Sequence, residues 1–273
     1  MIFLYSIILG VVQGATEFLP ISSSGHLVVL HDILKFQTTN SVAFDVSLHL
    51  GTLLALLVYF RVEIFRYLAA IIETFIPGRE VNKADRQDIL LLIYASIPAA
   101  IAGFVFNEFI ESNLRSPIIV AGALLIGAAL FFVVERFSAQ TRDFTGMSIG
   151  KALFIGFAQA LALIPGVSRS GITIIAGMFA KLKRAEAGRF SFLLSIPVIF
   201  GAGIFEFINI DWRALAPNEF IAFIIGLASS FVVGYFVVKY FLKFLQRHTL
   251  IPFAYYRISL ALILIIWFIA FKM

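Results

Sequence analysis

Long apolar runs separated by short polar segments dominate this chain. Six runs are long enough, at about 20 residues, to cross the hydrocarbon core of a bilayer as helices. They cover residues 41–60, 89–107, 117–134, 190–208, 219–238 and 251–271. Charge-rich segments at 61–88 and 135–151 are predicted to be loops. The pattern predicts an all-α integral membrane protein with six full spans.

Two further apolar stretches, residues 2–35 and 149–180, do not fit as simple spans. Breaks rich in Pro, Ser and Gly interrupt them near residues 17–26 and 165–171. Each break leaves apolar arms of about 15 residues, which reach only mid-membrane at about 1.5 Å per residue. Non-helical backbone is tolerated at that depth only where protein or a water-filled cavity surrounds it. We therefore predict two re-entrant helical hairpins.

The two breaks resemble each other in sequence. Residues 10–25 read GVVQGATEFLPISSSG, and residues 156–171, which lie 146 positions later, read GFAQALALIPGVSRSG. The same spacing relates residues 44–46 to 190–192, and a slightly larger one relates 97–100 to 251–254. Chance similarity among Gly- and Ser-rich membrane segments is the alternative. We predict a duplication within a single membrane domain, with repeat one at about 1–134 and repeat two at about 150–273.

The predicted repeat unit is one hairpin plus three spans, so the second copy is inserted upside down. Inverted repeats of this kind place their site near the midplane, on broken helices. Sixteen basic residues, Arg257 among them, then fall on one side of the membrane and four on the other. The four are Lys35, Arg115, Arg213 and Lys272. Because basic residues favour the cytoplasmic side, both termini are predicted to lie outside.

Composition supports the membrane assignment and excludes several other classes. The chain is 61% hydrophobic and 14% charged, with a mean hydropathy of +1.00, whereas soluble domains are about 45–50% apolar and about 25% charged. Cysteine is absent, so disulfides and thiolate chemistry are excluded, and the four histidines show no zinc-site spacing. The net charge of +5 comes without a dense basic run with interleaved aromatics, so no nucleic-acid partner is predicted.

Ionisable residues at membrane depth are candidates for function because burying a charge there is costly. Glu17 and His26 lie in the first break, and Arg169 lies in the second. Hydroxyl groups accompany them at Ser22, Ser23, Ser24, Ser168, Ser170 and Thr173. If the repeat brings the two breaks together, these residues form one site.

This set of side chains suits phosphate chemistry. Arg169, the hydroxyls, the backbone freed by Gly171 and a helix N-terminus together form a phosphate cradle. Glu17 and the amide of Gln13 offer oxygen ligands to a divalent cation, Mg²⁺ or Ca²⁺. His26 suits proton transfer or nucleophilic attack. The residues therefore suggest metal-assisted cleavage of a phosphoanhydride or a phosphate ester.

Each of these residues also has a structural alternative. Glu17 pairs with Arg169 in one alternative, and His26 donates a structural hydrogen bond in another. The serines cap helices or bond back to helix carbonyls. Asp45 and His49, one turn apart near the start of the first span, lie either at the edge of the site or in the solvated interface.

Two motifs make the family recognisable. Gly-x-x-Gln-Gly-x-Thr-Glu-Phe-Leu-Pro-x-Ser-Ser-Ser-Gly-His ends at His26, and Pro-Gly-x-Ser-Arg-Ser-Gly-x-Thr ends at Thr173. They resemble the two signatures of the undecaprenyl-diphosphate phosphatase family of the bacitracin-resistance type. The resemblance extends over the whole chain, including the Phe-Ser-Phe-Leu-Leu-Ser-Ile-Pro stretch at 190–197.

The resemblance implies a bacterial cytoplasmic-membrane enzyme that removes the terminal phosphate of undecaprenyl diphosphate and so recycles the lipid carrier for cell-wall synthesis. It implies a divalent cation, a site open to the outer face, and catalytic roles for Glu17, His26, Ser23 and Arg169. Many members carry a second glutamate where this chain has Gln13, which makes Gln13 a doubtful metal ligand. Membrane lipids and the polyprenyl diphosphate are the expected partners, and a homodimer is the candidate assembly. A polyprenyl-phosphate transporter or flippase is the alternative function.

Overall fold

The computed structural model describes residues 1–34, 41–76, 79, 82–114, 116–209 and 216–271. Within these ranges the chain is helical, without β-strands apart from one isolated bridge between Arg142 and Leu182. The helices are α1 (Ile2–Phe18), α2 (Ser23–Leu34), α3 (Ser41–Tyr59), α4 (Arg61–Thr74), α5 (Lys83–Asn113), α6 (Pro117–Phe137), α7 (Ile149–Leu161), α8 (Arg169–Phe179), α9 (Arg184–Asn209), α10 (Pro217–Leu245) and α11 (Ile251–Phe271).

The long helices confirm an all-α, multi-pass membrane protein. Five helices in the described residues are long and apolar enough to cross a membrane, and α3 with α4 makes a sixth if that bent pair is one span. Large apolar side chains on their outer faces are exposed, for example Phe104 on α5 and Ile126 on α6. Such faces suit contact with lipid rather than water.

Helix caps explain why several spans begin where they do. Asn82 accepts a hydrogen bond from the Ala84 amide at 2.9 Å, so α5 begins six residues before the predicted run. Ser116 precedes Pro117, the first residue of α6, where the missing N–H of proline leaves no helical bond unmade. In the extra turns of α5, Lys83 and Arg86 are exposed, whereas Asp85 and Asp88 are buried.

The segment 61–74 was predicted as part of a loop, and this prediction is wrong. It forms α4, which is bent by 80° from α3. Val62, Phe65 and Phe75 are exposed, whereas Tyr67 and Ala70 are buried against the bundle. The prediction was based on the charged residues of this segment. A helix with an outward apolar stripe also carries charged residues, so charge alone does not distinguish such a helix from a loop.

Arg257 was counted among the loop residues of the cytoplasmic side, and this assignment is also wrong. It lies inside α11 and its side chain is 0% exposed. The basic count on that side therefore falls from sixteen to fifteen. The four basic residues assigned to the other side all lie outside the described residues.

One of the three sequence matches used to predict the duplication does not agree with the helices. Pro98 lies in the interior of α5, the second long helix after the first break. Pro252 lies in the first turn of α11, the third long helix after the second break. The Ile-Pro-x-Ala match therefore gives no support to the duplication. Phe44 and Phe190 do fall on corresponding helices, α3 and α9, and both are buried.

Small residues allow the short helices to pack closely against long ones. A Cβ added at Gly10 of α1 would lie 2.5 Å from the Gly226 carbonyl oxygen of α10. In α7, a Cβ at Gly156 would lie 2.5 Å from the Ala95 carbonyl oxygen of α5. Glycine lets helix backbones approach in this way inside membranes, where packing contacts drive helix association. These contacts fix α1 and α7 against the bundle and hence fix the breaks that follow them.

Gly51 makes a close contact of the same kind between α3 and α10, and its substitution tests this packing. In Gly51→Ala the new Cβ would collide with the hydroxyl of Ser230 and the Leu227 carbonyl oxygen on α10. Overpacking of this kind costs about 1–3 kcal/mol, so the midpoint of thermal unfolding in detergent is expected to fall. Gly122→Ala in α6 is the matched control, because no heavy atom lies within 4 Å of its Cβ. Equal unfolding midpoints for the two variants would contradict the close α3–α10 contact.

Candidate active site

The two breaks have the same local geometry. Ser22 and Ser168 have positive φ angles, 73° and 69°, and each precedes the first turn of the helix that follows its break. Such angles are uncommon outside glycine and tend to mark functional sites. The hydroxyls of Ser22 and Ser24 are 3.2 Å apart, and those of Ser168 and Ser170 are 3.3 Å apart. Each break therefore presents a pair of serine hydroxyls at the start of a helix.

The two breaks meet, as the sequence predicted. Arg169 donates from Nη2 to Glu17 Oε1 at 2.6 Å. The Ser170 hydroxyl donates to the Leu19 carbonyl oxygen at 3.2 Å. The N-terminal residues of α8 therefore lie against the C-terminal end of α1. Residues 152 positions apart in the chain share one site.

Glu17 is the centre of the polar contacts. Its Oε2 accepts hydrogen bonds from the Ser23 hydroxyl at 2.7 Å and from the Gln13 amide at 2.9 Å. His49 Nδ1 lies 3.6 Å from the same oxygen. With Arg169 on Oε1, both carboxylate oxygens have partners, which a buried charge requires.

A cavity of about 320 Å³ opens beside this carboxylate. One wall is apolar and comes from α9, where Val198, Ile199 and Ala202 line it. The polar lining comes from Glu17, Ser22, Ser23, Ser24, His49, Ser168 and Arg169. The cavity thus joins one anion, one cation and five groups that donate or accept hydrogen bonds.

Arg169 has an unused donor at this site. Its guanidinium is largely buried, with 13% of the side chain exposed. Nη2 bonds Glu17, whereas Nη1 is buried without a hydrogen-bond partner. A buried donor without a partner costs about 1–3 kcal/mol. An anion that contacts Nη1 would remove that cost, so the arrangement suits an anion such as phosphate bound against Arg169.

The predicted phosphate-binding residues divide into two groups. Ser22, Ser24 and Ser168 line the cavity. Ser170 and Thr173 are 1% exposed and lie behind it, where the Thr173 hydroxyl donates to the Arg169 carbonyl oxygen at 2.7 Å.

Gly171 supports the second break rather than lining the cavity. Its backbone N–H donates to Ser168 Oγ at 3.2 Å, which closes the first turn of α8. A Cβ at this position would lie 3.2 Å from the same Ser168 oxygen. Gly171, Ser170 and Thr173 thus hold Ser168 and Arg169 in place, and a direct contact with phosphate stays a prediction for all three.

The structure places His49 in the cavity lining and His26 outside it. His26 was expected to take part in catalysis, yet its Nδ1 donates to the Ser22 carbonyl oxygen at 2.7 Å and its Nε2 lies 2.6 Å from Tyr256 Oη. Its ring stacks on Tyr256 and is not part of the cavity lining. His49 lines the cavity instead and contacts the Gln13 amide at 2.9 Å. The one-turn spacing from Asp45 was the only sequence signal for His49.

Arg257 is a residue whose role the sequence did not reveal. Its guanidinium donates hydrogen bonds to five backbone carbonyls, which belong to Pro20, Ala123, Leu124, Gly166 and Val167. Three of these carbonyls lie in the two breaks and two lie in α6. Arg257 therefore ties both breaks to α6, and it is not part of the cavity lining.

The residues fit a divalent cation only in part. No cluster of three or more His, Cys, Asp or Glu side chains able to hold a metal occurs among the described residues. Glu17 offers a carboxylate, and Gln13 Oε1 is buried without a partner. Mg²⁺ commonly uses one or two carboxylates together with substrate phosphates and water. The donor set thus fits a cation that arrives with a phosphate-bearing substrate.

Comparison with known proteins gives full-length matches. The family profile described as bacitracin resistance protein BacA matches residues 6–263. A relative named undecaprenyl-diphosphatase from Rubrobacter xylanophilus is 41% identical over 94% of this chain and 95% of its own length. Relatives with the same name from Trichlorobacter lovleyi and Teredinibacter turnerae are 40% and 41% identical over 94% and 96% of this chain. They are covered over 93% and 98% of their own lengths.

Arg257→Lys tests the attachment of the two breaks. The guanidinium of Arg257 donates five hydrogen bonds to carbonyls, whereas a lysine ammonium has only three N–H donors. At least two buried carbonyls lose their donor, at about 1–3 kcal/mol each. The unfolding midpoint in detergent is expected to fall clearly below that of the wild type. Arg136→Lys, at an exposed position near the end of α6, is the control, and an equal midpoint for both variants would contradict the attachment.

Proposed function

Because the chain belongs to the bacitracin resistance protein BacA family, we propose that it hydrolyses undecaprenyl diphosphate to undecaprenyl phosphate and inorganic phosphate. Its relatives named undecaprenyl-diphosphatase cover nearly the whole chain. The polyprenyl diphosphate is the proposed partner, and the bilayer holds its tail. The relatives' name favours the hydrolase over a transporter or flippase.

The observation that carries this proposal is the unused donor of Arg169. Nη1 is buried without a partner, and Arg169 lines the same cavity as Ser22, Ser24 and Ser168. A guanidinium binds phosphate oxygens through two parallel N–H groups. We assign the terminal phosphate of the substrate to Arg169 and these hydroxyls.

Ser23 and Glu17 provide the chemical step that the geometry supports best. Ser23 Oγ lies 2.7 Å from Glu17 Oε2. Ser23 Oγ attacks the terminal phosphorus, its proton passes to the Glu17 carboxylate at Oε1, the oxygen that substrate binding releases from Arg169, and the bond between that phosphorus and the bridging oxygen breaks. The lipid monophosphate leaves with this oxygen, and water then hydrolyses the phosphoserine. Attack by water with Glu17 as base is the alternative.

Binding of the substrate prepares Glu17 for this role. Glu17 Oε1 is held by Arg169 at 2.6 Å before substrate binds. Phosphate oxygens compete for the same guanidinium, so the carboxylate loses its strongest partner and is freed to accept a proton. His26, the base predicted from the sequence, needs to leave Tyr256 to reach Ser23, because both ring nitrogens are engaged.

A divalent cation, Mg²⁺ or Ca²⁺, is proposed to accompany the diphosphate. Glu17 and Gln13 are its proposed protein ligands. When bound, the cation neutralises charge that develops on the phosphate oxygens. The protein keeps water and substrate aligned through the serine hydroxyls and Arg169.

We propose an inverted repeat for the architecture, with two re-entrant hairpins, α1–α2 and α7–α8. The support is the shared serine geometry of the breaks and the shortness of their arms. At about 1.5 Å per residue, the 11 residues of α8 extend only about 16 Å, about half of the hydrocarbon core. We place both termini and the cavity opening outside the bacterial cytoplasmic membrane, from the positions of the basic residues.

Substitution of the ion pair tests the catalytic assignment. Arg169→Lys and Glu17→Gln are each expected to lower phosphate release from undecaprenyl diphosphate by about 10²–10³-fold in kcat/KM, since each removes a group aligned with developing charge. Purified protein in detergent is the sample, and released phosphate is the measured product.

The chain provides a matched control for this experiment. Arg79 and Glu73 form an ion pair of the same residue types at 3.2 Å, with 61% and 30% of the side chains exposed. Arg79→Lys and Glu73→Gln are expected to leave the rate unchanged. Full activity in both Arg169→Lys and Glu17→Gln would contradict the assigned site.

Labelling of single cysteines tests the orientation, because the chain has no cysteine of its own. Asn218 and Thr145 are both exposed and are assigned to opposite sides of the membrane. A membrane-impermeant maleimide is expected to label Asn218→Cys in intact cells. Thr145→Cys is expected to react only after permeabilisation. The reverse pattern would overturn the proposed orientation.

A further inference from the structure

Three polar groups at the edge of the cavity form a small triangle. The terminal amide nitrogen of Gln13 lies 2.9 Å from His49 Nδ1 and 2.9 Å from Glu17 Oε2. His49 Nδ1 and Glu17 Oε2 are 3.6 Å apart. Adjacent ligands at about 2.1 Å from one cation are separated by about 3.0–3.4 Å in octahedral or tetrahedral coordination. The triangle's sides of 2.9, 2.9 and 3.6 Å lie within about 0.2 Å of this range, so the triangle is close in size to one face of a metal coordination shell.

The Gln13 amide fits this triangle in two orientations. At present its N–H groups donate to Glu17 and to the lone pair of His49 Nδ1, while Oε1 is buried without a partner. Rotating the amide by 180° puts Oε1 at the same corner. Three acceptors then face one point, an oxygen from Glu17, an oxygen from Gln13 and a nitrogen from His49. Three acceptors converge stably only around a cation. The amide therefore has one orientation without a cation, with its nitrogen toward Glu17 and His49, and the flipped orientation with a cation bound.

His49 also satisfies the other requirements for a ligand. It lines the cavity, and 39% of its side chain is exposed, so a cation reaches it from the same opening as the substrate. Accepting from the Gln13 amide places its ring proton on Nε2 and leaves the Nδ1 lone pair directed into the triangle. His26 lacks this freedom because its two nitrogens bond Ser22 and Tyr256.

We propose that His49 is a nitrogen ligand of the divalent cation in this chain and that, with Glu17 and Gln13, it favours a first-row transition ion such as Mn²⁺ or Zn²⁺ over the Mg²⁺ or Ca²⁺ that Glu17 and Gln13 alone would suit. Imidazole binds such ions well, whereas Ca²⁺ prefers oxygen ligands alone. The inference rests on the proposed function only in assuming that the cavity is a cation-dependent phosphate site. It also accounts for the single carboxylate, because His49 supplies the third protein ligand.

Electron paramagnetic resonance of Mn²⁺ tests this directly on the full chain in detergent, without substrate. Wild-type protein is expected to show ¹⁴N modulation from one histidine in an electron spin echo experiment, together with saturable Mn²⁺ binding. In His49→Gln the nitrogen modulation is expected to vanish, and the Kd for Mn²⁺ to rise by about 10–100-fold. The Kd for Ca²⁺, measured by competition, is expected to change by less than about threefold, because the new glutamine offers an oxygen.

Two other histidines serve as controls. His248 is exposed and stacks on Phe244, outside the cavity lining, so His248→Gln is expected to keep the nitrogen signal and the Mn²⁺ affinity. Nitrogen modulation that survives in His49→Gln but disappears in His26→Gln would overturn the proposal. Mn²⁺ bound by the wild type without nitrogen modulation would also overturn it.

Phosphate release from undecaprenyl diphosphate, measured separately, distinguishes failure of this inference from failure of the proposed function. Hydrolysis without a nitrogen-ligated metal contradicts the role of His49 and leaves the hydrolase standing. A histidine-ligated Mn²⁺ site in a protein that releases no phosphate contradicts the hydrolase and leaves the metal site standing.

Discussion

The structure depends on satisfying backbone carbonyls where two helices stop inside the bundle. A carbonyl that has lost its helical N–H needs another donor when water is absent. Arg257 provides these donors, because its five N–H groups all donate hydrogen bonds to carbonyls of the breaks and of α6. A positive charge sits there without a described acidic partner because carbonyl dipoles surround it. The breaks are thereby rigid enough to carry a site.

The buried pair of Glu17 and Arg169 depends on this support. Such a pair gains little net stability, since desolvation offsets most of the Coulomb attraction. Its value lies in holding two reactive groups in defined positions. Ser170 and Thr173 fix the first turn of α8 from behind, and the glycine contact between α1 and α10 fixes the other side. The geometry of the site is therefore set by packing and by hydrogen bonds outside the cavity.

Much of the fold could be predicted from the sequence because hydropathy and helix length are coupled in a membrane. The two breaks were predicted to meet because they share a motif, and Arg169 does contact Glu17. Charge counting failed at α4 and at Arg257, since counting assigns each basic residue to a loop regardless of its contacts. The direction of His26 was also beyond prediction. Ser22 has a positive φ, which changes the direction of the chain just before α2. The helical periodicity of the preceding residues therefore does not predict the direction of the His26 side chain.

The size of the cavity bears on what the protein can recognise in a lipid. At about 320 Å³ it is at the lower end of the range for sites that bind drug-sized molecules, about 300–1,000 Å³. A cavity of this size, beside the wall made by Val198 and Ala202, has room for the head of a polyprenyl diphosphate and is too small for the whole of a long polyprenyl chain. Under the proposed function, contacts inside the cavity would then be limited to the head of the lipid, and most of the tail would lie in the surrounding bilayer.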